Sequence, residues 1–353
     1  MAAPSTAAES QIVAVGDGAP LSPAAYASIL TKVSGRIEAD YYALGGVVEQ
    51  LENHMAAELG KEYAVWMPTG TLANHLALRT LAGDRRRALV QAESHLYNDC
   101  GDCCQTLSGL NLIPLAPGQA TFSLEQVQDA YQRAGSGRVK TPIGAIQIES
   151  PVRRKTGETF DIEQMRRISK WARGESIGMH LDGARLYMGS AYTGVSVKEY
   201  SALFDTVYVS MYKYFGAASG AILAGPKELL ADMFHVRRMF GGGQHEAWPF
   251  AAVAFENCQG FSKRFAQAVQ CSEAVISSLR SKAGFAVERV SHGSNLFLLE
   301  VKGQDAASFR NRAKAVGLTL GAPQGGRFVV AVNETWNRAS AVEIVTRFER
   351  ALS

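Results

Sequence analysis

The sequence predicts an α/β protein with a large domain around a mostly parallel sheet and a small C-terminal α+β domain. Two observations carry that expectation. Short runs rich in Val, Ile and Ala alternate with helical patterns through the first two thirds of the chain, as parallel βαβ units require. After about residue 255 the alternation gives way to two helical stretches interleaved with two strand-like runs. At 353 residues the chain is long enough for two cores. The expected division is a tail and arm over 1–35, a large domain over 36–255 and a small one over 256–353.

The first strand candidate, Tyr63–Met67, leads into Pro68, Thr69, Gly70 and Thr71 and then a helix over Leu72–Leu81. Arg87–Ala92 leads into Glu93, Ser94 and His95, and Ile143–Ile148 into Glu149. Ile177–Leu181 ends at Asp182, and Thr206–Met211 ends just before Lys213. Gly220–Gly225 follows closely enough to be an antiparallel neighbour. Gly241–Gly243 reads as a loop before a connecting helix. In the small domain, helices over Phe261–Arg280 and Ala306–Val316 alternate with strands over Asn295–Glu300 and Arg327–Val332. Ligands of such sheets bind outside the carboxyl ends of the strands. Here those ends carry Thr69–Thr71, His95, Glu149, Asp182 and Lys213.

Composition excludes several classes of function. With 47% hydrophobic and 20% charged residues the chain is an ordinary soluble globular protein, and a net charge of +3 argues against nucleic acid or an acidic membrane as partner. No apolar run approaches the roughly 20 residues of a membrane span. Met1–Ser10 lacks the basic and apolar regions of a signal peptide and reads as a disordered tail. The cysteines at 100, 103, 104, 258 and 271 are odd in number, which favours reduced thiols and a cytoplasmic location. Cys100 and Cys103 form a C-x-x-C pattern without a second pair at zinc-site spacing, so metal binding competes there with small residues packed near a helix start.

An acid and an amine delivered to one face of a sheet are what pyridoxal phosphate needs: Asp182 to keep the pyridine nitrogen protonated, Lys213 to hold the aldehyde as a Schiff base. Each residue has a plainer reading. Lys213 could be a surface lysine passing its aromatic neighbours. Asp182 could cap the helix that begins near Ala184, or pair with His180 on a metal that lacks a third ligand. His180 alternates with Asp182 and faces the same side, where it would support the site. Thr69, Gly70 and Thr71 at a helix start form a phosphate cradle or a simple cap. No G-x-G-x-x-G or Walker A pattern exists, which argues against NAD(P) or ATP. His95 could stack on the cofactor ring or serve the core. Arg185 and Arg327, the latter after the Gly325–Gly326 turn, are candidates to grip a substrate carboxylate.

On these segments the chain resembles the threonine aldolase/β-eliminating lyase family of fold-type I pyridoxal-phosphate enzymes, from about residue 12 to the C-terminus. The resemblance is carried by His180–Leu186, Lys213 with Gly220–Gly225, Pro68–Thr71, Glu93–His95, Arg237–Gly243 and Arg327–Val330. It implies an aspartate aminotransferase-like large domain. It also implies that Lys213 holds the cofactor, Asp182 pairs with its ring nitrogen, His95 stacks on it, and Gly70 and Thr71 hold its phosphate. Arg185 would lie beside the cofactor and Arg327 on the α-carboxylate. A homodimer or homotetramer is implied, with sites at subunit interfaces and Tyr42 reaching across. The departures lie on the substrate side: Val152 where many members have a histidine, Gly16 for a serine, His245 for an arginine, and Tyr212 and Tyr214 bracketing the lysine. The expected reaction is cleavage of a β-hydroxy-α-amino acid, threonine-like or aryl, to glycine and an aldehyde, with His95 as base. The alternatives are β-elimination from a cysteine- or serine-like amino acid, and cofactor binding without turnover.

Overall fold

The computed structural model describes residues 10–353. Apart from Ser10, the tail predicted at the N-terminus lies outside the described residues. Strands are numbered along the chain: β1 (Ile12–Val13), β2 (Tyr63–Met67), β3 (Arg87–Gln91), β4 (Asn111–Leu115), β5 (Ile143–Glu149), β6 (Gly178–Asp182), β7 (Thr206–Ser210), β8 (Ala221–Gly225), β9 (Phe285–Arg289), β10 (Leu296–Val301), β11 (Leu318–Thr319) and β12 (Arg327–Ala331).

Seven strands form the main sheet in the order β2-β8-β7-β6-β5-β3-β4. The pairings from β4 through β7 are parallel, and β8 runs antiparallel to both β7 and β2. The carboxyl ends of β2, β3, β5, β6 and β7 therefore share one edge. All seven residues of β5 are buried, as a strand covered on both faces requires. The helix Gly70–Ala82 lies across β5 to β8. It begins where the sequence places its cap, with the Thr69 hydroxyl accepting the Leu72 N–H at 3.2 Å.

The sheet of the small domain, β12-β10-β9, is antiparallel. Its two interior-reading strands were legible; β9 (Phe-Ala-Val-Glu-Arg) was not, because its apolar content is confined to one end. β4 was missed for a different reason: Pro114 interrupts it, and proline is tolerated only because β4 is an edge strand. A two-stranded parallel pair, β1 with β11, ties the N-terminal segment to the small domain. Asn333 then donates to the carbonyls of Val13 and Gly16, which leads the chain to the edge of the main sheet at Asp17. Among the described residues no helix is long and apolar enough to cross a membrane.

Candidate active site

Asp182 closes β6 as a buried carboxylate, 1% exposed. Its Oδ2 accepts the Asn74 side-chain amide at 2.6 Å and its Oδ1 the Ala184 N–H at 3.1 Å. The second bond closes a turn on the residue two positions on; the helix that follows begins only at Leu186, with Arg185 at its N-cap and no side-chain cap, so Asp182 is not the helix cap the sequence allowed. Asn74 Oδ1 in turn accepts from His180 Nε2–H at 2.8 Å, while His180 Nδ1 meets Thr206 Oγ1 at 2.9 Å. Burial drives the His180 pKa down to about 4 against the pull of Asp182. His180 is thus a neutral strut that holds the amide holding Asp182. Asn74 escaped the sequence reading. Its signal is its place one helical turn after Gly70, a polar residue on an otherwise apolar face.

Lys213 follows β7, on the strand bonded to β6. Burial, with the Arg185 guanidinium nearby, pulls its amine down to about 8; Asp182, Asp17 and Glu149 pull the other way. The two flanking tyrosines diverge. Tyr214 is buried among aromatic rings, 4.6 Å from Phe215 and 5.3 Å from Phe261 between centroids. Tyr212 is 45% exposed, with Lys213 Nζ 5.9 Å from its ring centre. A cavity of about 620 Å³ opens beside the lysine, lined among others by Asp17, Tyr26, Tyr212, Glu334 and Arg338.

At the end of β2, the first turn of the helix Gly70–Ala82 presents N–H groups that have no acceptor within the helix. Gly70 is required there, because a Cβ would stand 2.0 Å from the Tyr208 hydroxyl oxygen. The Thr71 hydroxyl lies 3.6 Å from Cys100 Sγ. His95 is half-buried after β3, with Nδ1 3.4 Å from Asp99, and Asp99 itself is paired to Arg154 at 2.9 Å. The Cys100 thiol raises the His95 pKa, with help from Asp182 and Asp99, and outweighs burial. Glu149 ties β3 to β5: Oε2 accepts the His95 N–H at 2.6 Å and Oε1 the Arg153 N–H at 2.9 Å. Burial and neighbouring Asp182 push its pKa up to about 7.

Arg185 and Arg327 part company. Arg185 is largely buried and its Nε lies 2.7 Å from Oδ1 of Asp17, a residue that lines the cavity beside Lys213. Arg327 does not join the site. It opens β12, opposite Glu300, and its exposed guanidinium pairs with Glu288 at 2.8 Å and Glu300 at 3.7 Å. The end of β12 that approaches the site is the other one, where the Ala331 N–H donates to the Ala14 carbonyl. The glycine turn that singled out Arg327 therefore marks the far end of the strand. Arg338, beyond the near end, lines the cavity instead. Val152 is fully buried, so the position where a histidine was missed offers only an apolar side chain to the core.

The donor set suits pyridoxal phosphate. A buried carboxylate, an amine of depressed basicity and a helix start kept open by glycine are the three fixtures that cofactor needs. The fold is the fold-type I architecture of pyridoxal-phosphate enzymes. A putatively assigned relative is informative at full length: a Listeria monocytogenes protein provisionally described as an L-allo-threonine aldolase superposes with a TM-score of 0.80 at 25% identity, covering 98% of this chain and 97% of that one. The sequence model described as Beta-eliminating lyase matches residues 34–302, and the chain belongs to that family. The low-specificity L-threonine aldolase of Eremothecium gossypii is 29% identical over 213 residues, 60% of this chain and 55% of its own. Alanine racemase TOXG of Cochliobolus carbonum is 31% identical over 206 residues, 58% and 52% respectively. The chain thus spans about half the length of the curated relatives it matches.

Proposed function

We propose that this chain binds pyridoxal phosphate and cleaves a β-hydroxy-α-amino acid, threonine-like or aryl-substituted, to glycine and an aldehyde. The observation that carries the reading is the pairing of buried Asp182 with the depressed amine of Lys213 on adjacent strands, within reach of His95. Pyridoxal phosphate, when bound, supplies the electron sink for the bond broken at Cα. Asp182, fixed by Asn74 and the Ala184 N–H, supplies the negative charge that keeps a ring nitrogen protonated. Lys213 would hold the cofactor through Nζ, an amine that burial leaves part-neutral near pH 8 and therefore nucleophilic. Gly70 and Thr71 offer N–H groups, and Thr69 and Thr71 hydroxyls, to the phosphate. Arg185 meets the substrate carboxylate, held in place by Asp17. The His95 imidazole takes the β-hydroxyl proton, because Val152 cannot. The 620 Å³ cavity beside Lys213 has room for a bulky β-substituent.

A homodimer or homotetramer with sites at subunit interfaces belongs to the same proposal. The test is incubation of the purified protein with pyridoxal phosphate and a panel of β-hydroxy and β-substituted amino acids, with products identified by mass spectrometry. Glycine plus an aldehyde is expected. Pyruvate plus ammonia would assign β-elimination instead, inversion at Cα a racemase, and no turnover of any substrate a binding protein.

A further inference from the structure

Cys100, Gly101, Asp102 and Cys103 take no part in the proposed reaction, yet they lie against its site. Gly101 and Asp102 both adopt left-handed φ, +59° and +52°, and the Cys103 N–H closes onto the Cys100 carbonyl at 3.3 Å. A closed turn of this kind keeps its end Cα atoms within about 7 Å, close to the range that a disulfide spans. Both cysteines are free and part-exposed. Cys100 Sγ also lies 3.6 Å from Thr71 Oγ1, and the Cys100 thiol raises the His95 pKa. Among the described residues no group of three or more His, Cys, Asp or Glu is arranged to hold a metal, so the pair is left with thiol chemistry.

We infer that Cys100 and Cys103 form a reversible oxidative modification site whose disulfide loosens both the phosphate cradle at Thr71 and the seat of His95. The oxidant class is a low-molecular-weight disulfide such as glutathione disulfide. One protein thiolate attacks it and expels a glutathione thiolate; the second protein thiolate then displaces the other glutathione. One S–S bond breaks and one forms. The pair loses two electrons and two protons, and two glutathione thiols carry them away. Against the pull of Cys100, Cys104 and burial push the Cys103 thiol up to about 12, so the exchange is slow and answers sustained oxidation. Bond formation fixes Cys100 Sγ about 2.05 Å from its partner, which resets its 3.6 Å approach to the Thr71 hydroxyl.

The consequence for the cofactor rests on the function proposed above; the disulfide itself does not. The full chain is incubated with glutathione disulfide, the bond is mapped by mass spectrometry, and pyridoxal-phosphate affinity is measured before and after by absorbance titration. The expected result is a loss of about 2 Da, one S–S bond for two S–H, between Cys100 and Cys103, reversed by dithiothreitol. With it the cofactor Kd rises by about fivefold or more, and Cys103→Ser binds equally in both conditions. No bond, a bond elsewhere, or a bond that leaves affinity unchanged would overturn the inference. If the reduced protein takes up no pyridoxal phosphate, the proposed function and the cofactor linkage both fall, and the mapped bond alone decides the modification site.

Discussion

At Lys213 burial and one guanidinium compete with three carboxylates, and burial wins. That balance makes a kinetic prediction. For a pKa of about 8, roughly a tenth of the amine is neutral at pH 7 and half at pH 8. Uptake of pyridoxal phosphate by the cofactor-free protein should quicken about fivefold over that interval and level off above about pH 9. A stopped-flow rate that keeps rising about tenfold per pH unit through pH 9, as an unshifted lysine near 10.4 would give, would refute the shift. Lys213→Ala should abolish the visible absorbance of bound cofactor. Asp182→Ala should cost about 10²-fold or more in kcat, as removal of a preorganised charge does. Asn74→Ala, which removes only the support, should cost about tenfold. The two arginines give opposite expectations. Arg185→Gln should raise the amino acid KM by about 10- to 100-fold, the worth of a charged hydrogen bond. Arg327→Ala should leave KM within about twofold, because its partners are exposed carboxylates on the small sheet.

The helix Gly70–Ala82 is the element on which the site depends. Its N-terminus is where the proposal seats the cofactor phosphate, its Asn74 holds Asp182, and its body covers β5 to β8. The tightest point is the contact of Gly70 with Tyr208, where even a methyl group has no space. Gly70→Ala should destabilise the protein by about 1–3 kcal/mol in a denaturant titration, the usual cost of overpacking, and weaken cofactor binding in parallel. A variant of parental stability would mean that the helix start yields more readily than its packing indicates.

For the molecule as a whole, the segment at Tyr41–Leu44 stands out. Tyr41 is 66% and Leu44 53% exposed, and Tyr42 and Ala43 hold left-handed φ near +56°. Tyr42 is tied by its N–H to the His245 carbonyl at 2.8 Å. Large apolar side chains held outward by a constrained loop suit a subunit contact. Sedimentation should find at least a dimer, and Leu44→Glu should shift it toward monomer with loss of activity. A parent that sediments as an active monomer would remove the shared-site part of the proposal.

Local chemistry made the sheet edge legible from sequence. Val- and Ile-rich runs that each end in a polar residue mark parallel strands, and Asp182, Lys213, His95 and Thr69–Thr71 were singled out because the ends of such strands share one edge. What sequence could not reach were relations between distant segments. Which end of β12 faces the site depends on its antiparallel register with β10, and that register sends Arg327 away and brings Arg338 near. Asp17 meets Arg185, and Asn74 links His180 to Asp182, only because tertiary packing closes separations of 168, 106 and 108 residues. The proposed cofactor seat is therefore written in single strand ends, where neighbours along the chain suffice. The proposed substrate side, assembled from the N-terminal segment and the small domain, is decided by packing.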